Sequence, residues 1–189
     1  PGRAREGLPG PVEVLAGDCA LERAPGPVVC LEDDPAAPRG PRGWRKKGID
    51  DATALVSGRS FTCALRKTGE AWCWGDLAGS GAEPRRVFTS AADLVRIAAG
   101  PESMCAVHAS GRASCVGKAT STRGLVPATF EPGAGAAKLE RARRVAVGDT
   151  HACAAHDDGL VRCWGRNELG ELGDGSLEES RAPVLVPVP

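Results

Sequence analysis

Cys153 and Cys163 have nine residues between them, and the centre of that gap is the turn-forming triplet Asp157-Asp158-Gly159. A three-residue loop with glycine last suits a type I turn followed by a left-handed residue, so the spacing predicts a hairpin. Counting outward, His156 faces Leu160, Ala155 faces Val161, Ala154 faces Arg162 and Cys153 faces Cys163. With a hydrogen-bonded pair closing the loop, alternation makes the cysteines a non-hydrogen-bonded pair, α-carbons about 4.5 Å apart and within reach of a disulfide. The same gap recurs at Cys63 and Cys73 around Lys67-Thr68-Gly69, and at Cys105 and Cys115 around Ala109-Ser110-Gly111. Cys19 and Cys30 have ten residues between them, which a four-residue loop, Arg23-Ala24-Pro25-Gly26, absorbs without changing the pairing.

All eight cysteines are thereby used, and successive first cysteines lie 44, 42 and 48 residues apart. A period of that size belongs to propeller blades and similar arrays, in which each unit buries its faces against its neighbours. The expectation is an all-β chain forming a β-propeller, or a propeller segment of about four blades, each a small antiparallel sheet with one intra-hairpin disulfide. The 189 residues then form one repeat domain, with repeats over roughly 11–47, 48–90, 91–138 and 139–189. Hairpin strands that are small or apolar on both faces agree with sheets packed between two neighbours: one face of repeat four carries Cys153, Ala155, Val161 and Cys163, the other Ala152, Ala154, Leu160 and Trp164. Twenty-five glycines and fifteen prolines leave little room for helix, the best stretch for one being Ala136 to Arg144.

Lysine plus arginine and aspartate plus glutamate are balanced at 24 each, so nothing steers the chain toward nucleic acid or an anionic membrane. No run of about 18 apolar residues predicts a membrane-spanning helix. Eight cysteines paired across strands call for an oxidising compartment, and the expected localisation is extracytoplasmic. No two cysteines have the close spacing of a structural zinc site, so no metal and no cofactor are expected. The chain begins PGRAREGLPG, without an initiator methionine or a leader, and is expected to be a mature form or a segment of a longer chain.

The residues resemble the regulator of chromosome condensation repeat family. Its signature is an apolar strand ending in Ala-Gly or Val-Gly, then His-x-Cys-Ala, a glycine turn, Cys-Trp-Gly and Asn-x-x-Gly-x-Leu-Gly, closed by Pro-Val. Repeat four carries it nearly whole, from Val147-Gly148 through His151 to Ala154, Gly159, Cys163-Trp164-Gly165 and Asn167 to Gly173, to Pro183-Val184. Repeats two and three carry about half, with Val116 standing where repeats two and four have tryptophan, and repeat one is the most degenerate. The resemblance implies propeller blades, and the paired cysteines are similar to those of exported bacterial members. The rings usual in the family have more blades than four, which leaves closure of this chain open.

Because such a fold hosts unrelated activities, function is read from what differs between repeats. The differences fall in Glu32 to Lys47, Asp76 to Ser90, Lys118 to Lys138 and Arg166 to Arg181, all expected to be loops. The first holds a basic run, Arg39, Arg42, Arg45, Lys46 and Lys47 around Trp44, a candidate binding loop for a protein or glycan ligand; the bland alternative is a solvated linker. The last is acidic, with Glu168, Glu171, Asp174, Glu178 and Glu179. Trp72, Trp74 and Trp164 beside the cysteines are expected in the core rather than as ligand anchors, and His151 is expected half-buried and hydrogen-bonded to a neighbouring blade rather than in a ligand role. The reading is a secreted or cell-surface, non-enzymatic protein-interaction module with no catalytic residue. The alternatives are guanine-nucleotide exchange, the activity of the family's name-giving member, and a propeller enzyme acting on glycans through carboxylates such as Asp149, Asp157, Asp158 or Asp174.

Overall fold

Glycine-ended turns and cross-strand cysteines do fold this chain into hairpins, and each hairpin is the middle of a four-stranded antiparallel sheet. The computed structural model describes residues 11–33, 43–77, 81–89, 92–117, 129–130 and 141–187. Sheet 1 comprises β1 (Val14–Ala16), β2 (Cys19–Leu21), β3 (Val28–Glu32) and β4 (Gly43–Lys46), in that order. Sheet 2 comprises β5 (Ala52–Ser57), β6 (Phe61–Arg66), β7 (Ala71–Gly75) and β8 (Gly81–Val87). Sheet 3 comprises β9 (Leu94–Ala99), β10 (Ser103–His108), β11 (Ala113–Gly117) and β12 (Thr129–Phe130). Sheet 4 comprises β13 (Ala142–Val147), β14 (His151–His156), β15 (Val161–Gly165) and β16 (Ser180–Val186).

The hairpin registers are those of the sequence count: Cys19 lies opposite Cys30, Cys63 opposite Cys73, Cys105 opposite Cys115 and Cys153 opposite Cys163. All four pairs are disulfides, with α-carbons 3.9–4.1 Å apart. Gly69, Gly111 and Gly159 hold φ of 78°, 81° and 83°, the left-handed geometry assigned to them.

The stretches expected to be loops are partly strand. Gly43–Lys46 is the outermost strand of sheet 1, β8 and β12 lie within the second and third variable stretches, and β16 begins in the last two residues of the fourth. An outermost strand pairs on one side only. It therefore tolerates proline, as at Pro84, and carries charge that discourages further pairing, as at Arg45, Lys46, Arg85 and Arg86. That composition reads as loop in a sequence. The Ala142–Val147 segment, which overlaps the best helical stretch, is the first strand of sheet 4.

Successive sheets pack face to face. An apolar cluster between sheets 1 and 2 joins Cys19, Leu21, Val28 and Cys30 to Leu55, Ala64 and Trp74. A second joins Phe61, Cys63, Leu65 and Cys73 to Leu94, Met104, Ala106 and Val116 of sheet 3, and a third joins Cys105, Val107 and Cys115 to Ala152, Ala154 and Trp164 of sheet 4. In each cluster the disulfide comes from the earlier sheet and faces the later one. The seam is stitched by one recurring backbone bond, in which the first strand of a sheet donates to a glycine carbonyl in the hairpin loop before it: Ala52 to Gly26 (2.9 Å), Leu94 to Gly69 (3.0 Å) and Ala142 to Gly111 (2.8 Å).

Candidate functional site

A recurring polar tie closes the hairpin end of each sheet. The residue before the first strand grips the end of the hairpin: Glu13 accepts from the Ala24 amide (2.8 Å), Asp51 from Arg66 Nε (2.7 Å), Asp93 bonds His108 (2.7 Å), and Arg141 Nε reaches Asp157 (2.9 Å) with the charges reversed. The Asp51 hydrogen bond raises Arg66 above its ordinary value. The sequence reading missed these ties, because their members are 11 to 16 residues apart and change identity from repeat to repeat.

In sheet 3 the tie extends into a three-membered chain. The Asp93 carboxylate can only accept, so His108 Nδ1 donates to it, and in the tautomer protonated at Nδ1 alone Nε2 accepts from Ser114 Oγ at 2.9 Å. The order Asp-His-Ser is that of an acyl-transfer triad. Ser114, however, is only 1% exposed and His108 2%, which leaves no substrate a path to the hydroxyl in this conformation.

The basic run divides. Arg39 and Arg42 lie outside the described residues. Trp44 is half-buried in β4, and Arg45 and Lys46 are exposed beside it. Lys47 is taken up structurally: its ammonium pairs with Glu32, donates to the Ala82 carbonyl at 3.1 Å and stands 6.0 Å from the Trp74 ring, tying the edge of sheet 1 to sheet 2. Trp164 and Trp74 are core residues, and the half-buried Trp72 donates to Glu70 (3.2 Å) under the Arg66 guanidinium. His151 is half-buried, its ring laid over Gly148, where a β-carbon would come within 2.6 Å of it.

The acidic stretch Arg166 to Glu179 is wound around fully buried Asn167. Its Nδ2 donates to the carbonyls of Ser176 (3.0 Å) and Glu178 (3.1 Å), and its Oδ1 accepts from the Leu172 amide (2.8 Å). Amide hydrogen bonds from Ser176 to Asp174 and from Leu169 to Glu171 hold both carboxyls below their usual range. Asp158 is lowered in the same way by the Leu160 amide, as a turn residue. The loop presents Leu169, 88% exposed, and Leu177 beyond the core.

Among the described residues, clefts open between sheets 1 and 2 and between sheets 3 and 4. One, of about 410 Å³, lies between sheets 1 and 2 at the end opposite the hairpins, bordered by Gly17, Asp18, Glu32, Ser57, Thr62 and Trp74. The other, of about 530 Å³, lies between sheets 3 and 4 at the hairpin end, where Arg96, Arg141, Arg143 and Arg144 gather beside His108. The sequence reading placed its basic patch only in the first repeat; the second patch arises because Arg96 of one first strand shares a groove with Arg143 and Arg144 of the next and with Arg141 just before it. Among the described residues no group of three or more His, Cys, Asp or Glu side chains is arranged to hold a metal ion.

Four antiparallel sheets, stacked through their disulfide faces and each built from one sequence repeat, define a propeller-type repeat protein. The sequence profile described as "Regulator of chromosome condensation (RCC1) repeat" matches residues 52–76 and 142–171, so the chain carries repeats of that family. It is 32% identical over 132 residues to the human E3 ubiquitin-protein ligase HERC2, covering 70% of this chain and 2% of that protein. Over 46 residues it is 44% identical to the Arabidopsis thaliana ultraviolet-B receptor UVR8, covering 24% of this chain and 10% of the receptor. Among solved structures it is similar to human WBSCR16, with TM-score 0.66 and 18% identity over 96% of this chain and 54% of the other. It is also similar to yeast RCC1 (Prp20) bound to Kap60, with TM-score 0.63 and 15% identity over 94% of this chain and 50% of the other. The chain thus spans about half the length of these solved propellers and a small part of the curated relatives.

Proposed function

We propose that the chain is an extracytoplasmic, non-catalytic protein-binding module that presents the clefts and loops at the two ends of its sheets. The observation that carries this reading is where the disulfides sit. Each is placed within a sheet beside the packing surface, a structural use that depends on an oxidising environment. The scaffold so stiffened leaves its variable residues on the outermost strands and in the loops at the sheet ends, and loops carried on a rigid scaffold are where binding residues generally gather. Propellers of the same fold support the binding role: yeast RCC1 was solved bound to Kap60, and its binding properties to Gsp1p and histones are described with another structure. Guanine-nucleotide exchange would require an intracellular partner, which sits poorly with paired cysteines.

Purified chain immobilised against secreted and cell-surface proteins is expected to capture a partner that, once purified, rebinds saturably. Replacing Arg45 and Lys46 with serine while leaving Lys47 in place tests the exposed part of the basic run without cutting the Glu32 tie. Equal affinity for the variant would remove that run from the surface. The Asp93-His108-Ser114 chain favours one second reading, a serine hydrolase that opens around Ser114. Labelling of Ser114 by a fluorophosphonate, abolished by Ser114→Ala, would replace the non-catalytic reading with that one.

A further inference from the structure

Sheet 1 is one rung shorter than its neighbours at the end away from the hairpins. Two residues separate Ala16 from its partner Cys19, whereas six separate Val56 from Cys63. The extra residues in sheet 2 add the rung Ser57-Thr62, which Trp74 continues across β7. They also supply Phe61, two residues before the first cysteine, whose ring swings over Gly58 into the cluster with Met104 and Val116. The corresponding rung of sheet 3, Ala99-Met104-Val116, is thereby covered. In sheet 1 the residue two before the first cysteine is Gly17, which has no side chain to offer.

The rung Ser57, Thr62 and Trp74 accordingly borders the cleft of about 410 Å³ instead of lying under a ring from the preceding sheet. Its lining includes the edge of the Trp74 indole and two hydroxyls on one side, where Phe61 also borders it, and on the other the Cys19–Cys30 bridge with Asp18 and the Lys47-paired Glu32. We propose that this cleft takes an aromatic side chain from a partner polypeptide, which occupies the place that Phe61 fills between sheets 2 and 3. The ring meets the edge of the buried Trp74 indole that borders the cleft, and the Ser57 and Thr62 hydroxyls face the adjoining peptide group. Aromatic pairs add to the gain from area buried, and a cleft already built into the sheet edges loses little order on filling. This inference rests on the protein-binding reading and specifies its site.

N-acetyl-L-phenylalanine amide serves as the probe, followed through the indole N–H resonance of Trp74, assigned by its loss in Trp74→Phe. The expected result is a saturable shift, with an affinity about tenfold above that of N-acetyl-L-alanine amide, as burial of part of a ring implies. Ser57→Phe, which places a ring in the cleft, should abolish the shift. If circular dichroism shows that variant unfolded, Thr62→Leu is used and should weaken binding at least about fivefold, the loss of about 1 kcal/mol of fit. No saturation, equal response to alanine amide, unchanged binding in the folded variant, or saturation by methyl glucoside in place of the aromatic probe would each overturn the assignment. A captured partner that binds wild type and the cleft variant alike would leave the protein-binding module intact and remove only this cleft from it.

Discussion

The three hairpin glycines look alike in sequence, since each ends a triplet between paired cysteines, and their left-handed conformation followed from that position alone. Their surroundings did not. A β-carbon on Gly69 would meet the Ala92 carbonyl at 2.6 Å, and one on Gly111 the Arg141 α-carbon at 2.6 Å, whereas one on Gly159 would meet nothing within 4 Å. The first two glycines are pressed against the next sheet; the third is not. Gly159→Ala should therefore cost only the backbone term, about 1–2 kcal/mol. Gly69→Ala and Gly111→Ala should add an overpacking cost of about 1–3 kcal/mol. Thermal melts of the three variants check this, and equal losses would mean that the sheet contacts yield freely. Asn167 shows the same limit of local reading. Its partners lie five to eleven residues downstream and include two backbone carbonyls, which no side-chain pattern announces. Asn167→Ala strands those groups and should cost about 1–3 kcal/mol, with protease sensitivity rising between Arg166 and Glu179.

At the scale of elements, the middle strands were readable because disulfide spacing and turn chemistry fix their register within a dozen residues. The outermost strands were not, because a strand paired on one side carries the charges and prolines of a loop, as in β4 and β8. The polar ties and the buried Asp93-His108-Ser114 chain were hidden for a related reason: repeats preserve the position of a tie while exchanging its chemistry. The acidic loop has a pH dependence of its own. Its Asp174 and Glu171 carboxyls are lowered in the folded state by amide hydrogen bonds. The order they confer is accordingly complete above the unfolded values near 3.8 and 4.5, and is lost as pH falls through the lower folded values. Amide exchange of Ser176 and Leu169 should stay slow from neutrality down to about pH 5 once intrinsic rates are divided out, and accelerate below the ordinary carboxylate range. Asp174→Ala should show the faster Ser176 exchange already at neutral pH. Unchanged protection in that variant would assign the loop's order to Asn167 alone.

Across the whole molecule the stacking has a direction. Each sheet turns its disulfide face toward the sheet that follows, so Cys19–Cys30, Cys63–Cys73 and Cys105–Cys115 are enclosed between two layers. The same face of sheet 4 carries Cys153–Cys163 together with exposed Ala146 and half-buried Ala155, Val161 and Val184. Cys153 is half-buried, whereas the other seven cysteines are all buried. Attack on a disulfide needs a thiolate or phosphine to reach sulfur along the bond axis, so access sets the order of reduction when the bridges are otherwise alike. Under native conditions, low concentrations of a water-soluble phosphine should open Cys153–Cys163 first, while the three enclosed bridges wait for separation of their sheets. Differential alkylation followed by peptide mass mapping reads the order directly. If Cys63–Cys73 or Cys105–Cys115 is alkylated as early as Cys153–Cys163, the sheets part from one another more readily than their apolar clusters imply, and the directional stacking is not what protects the bridges.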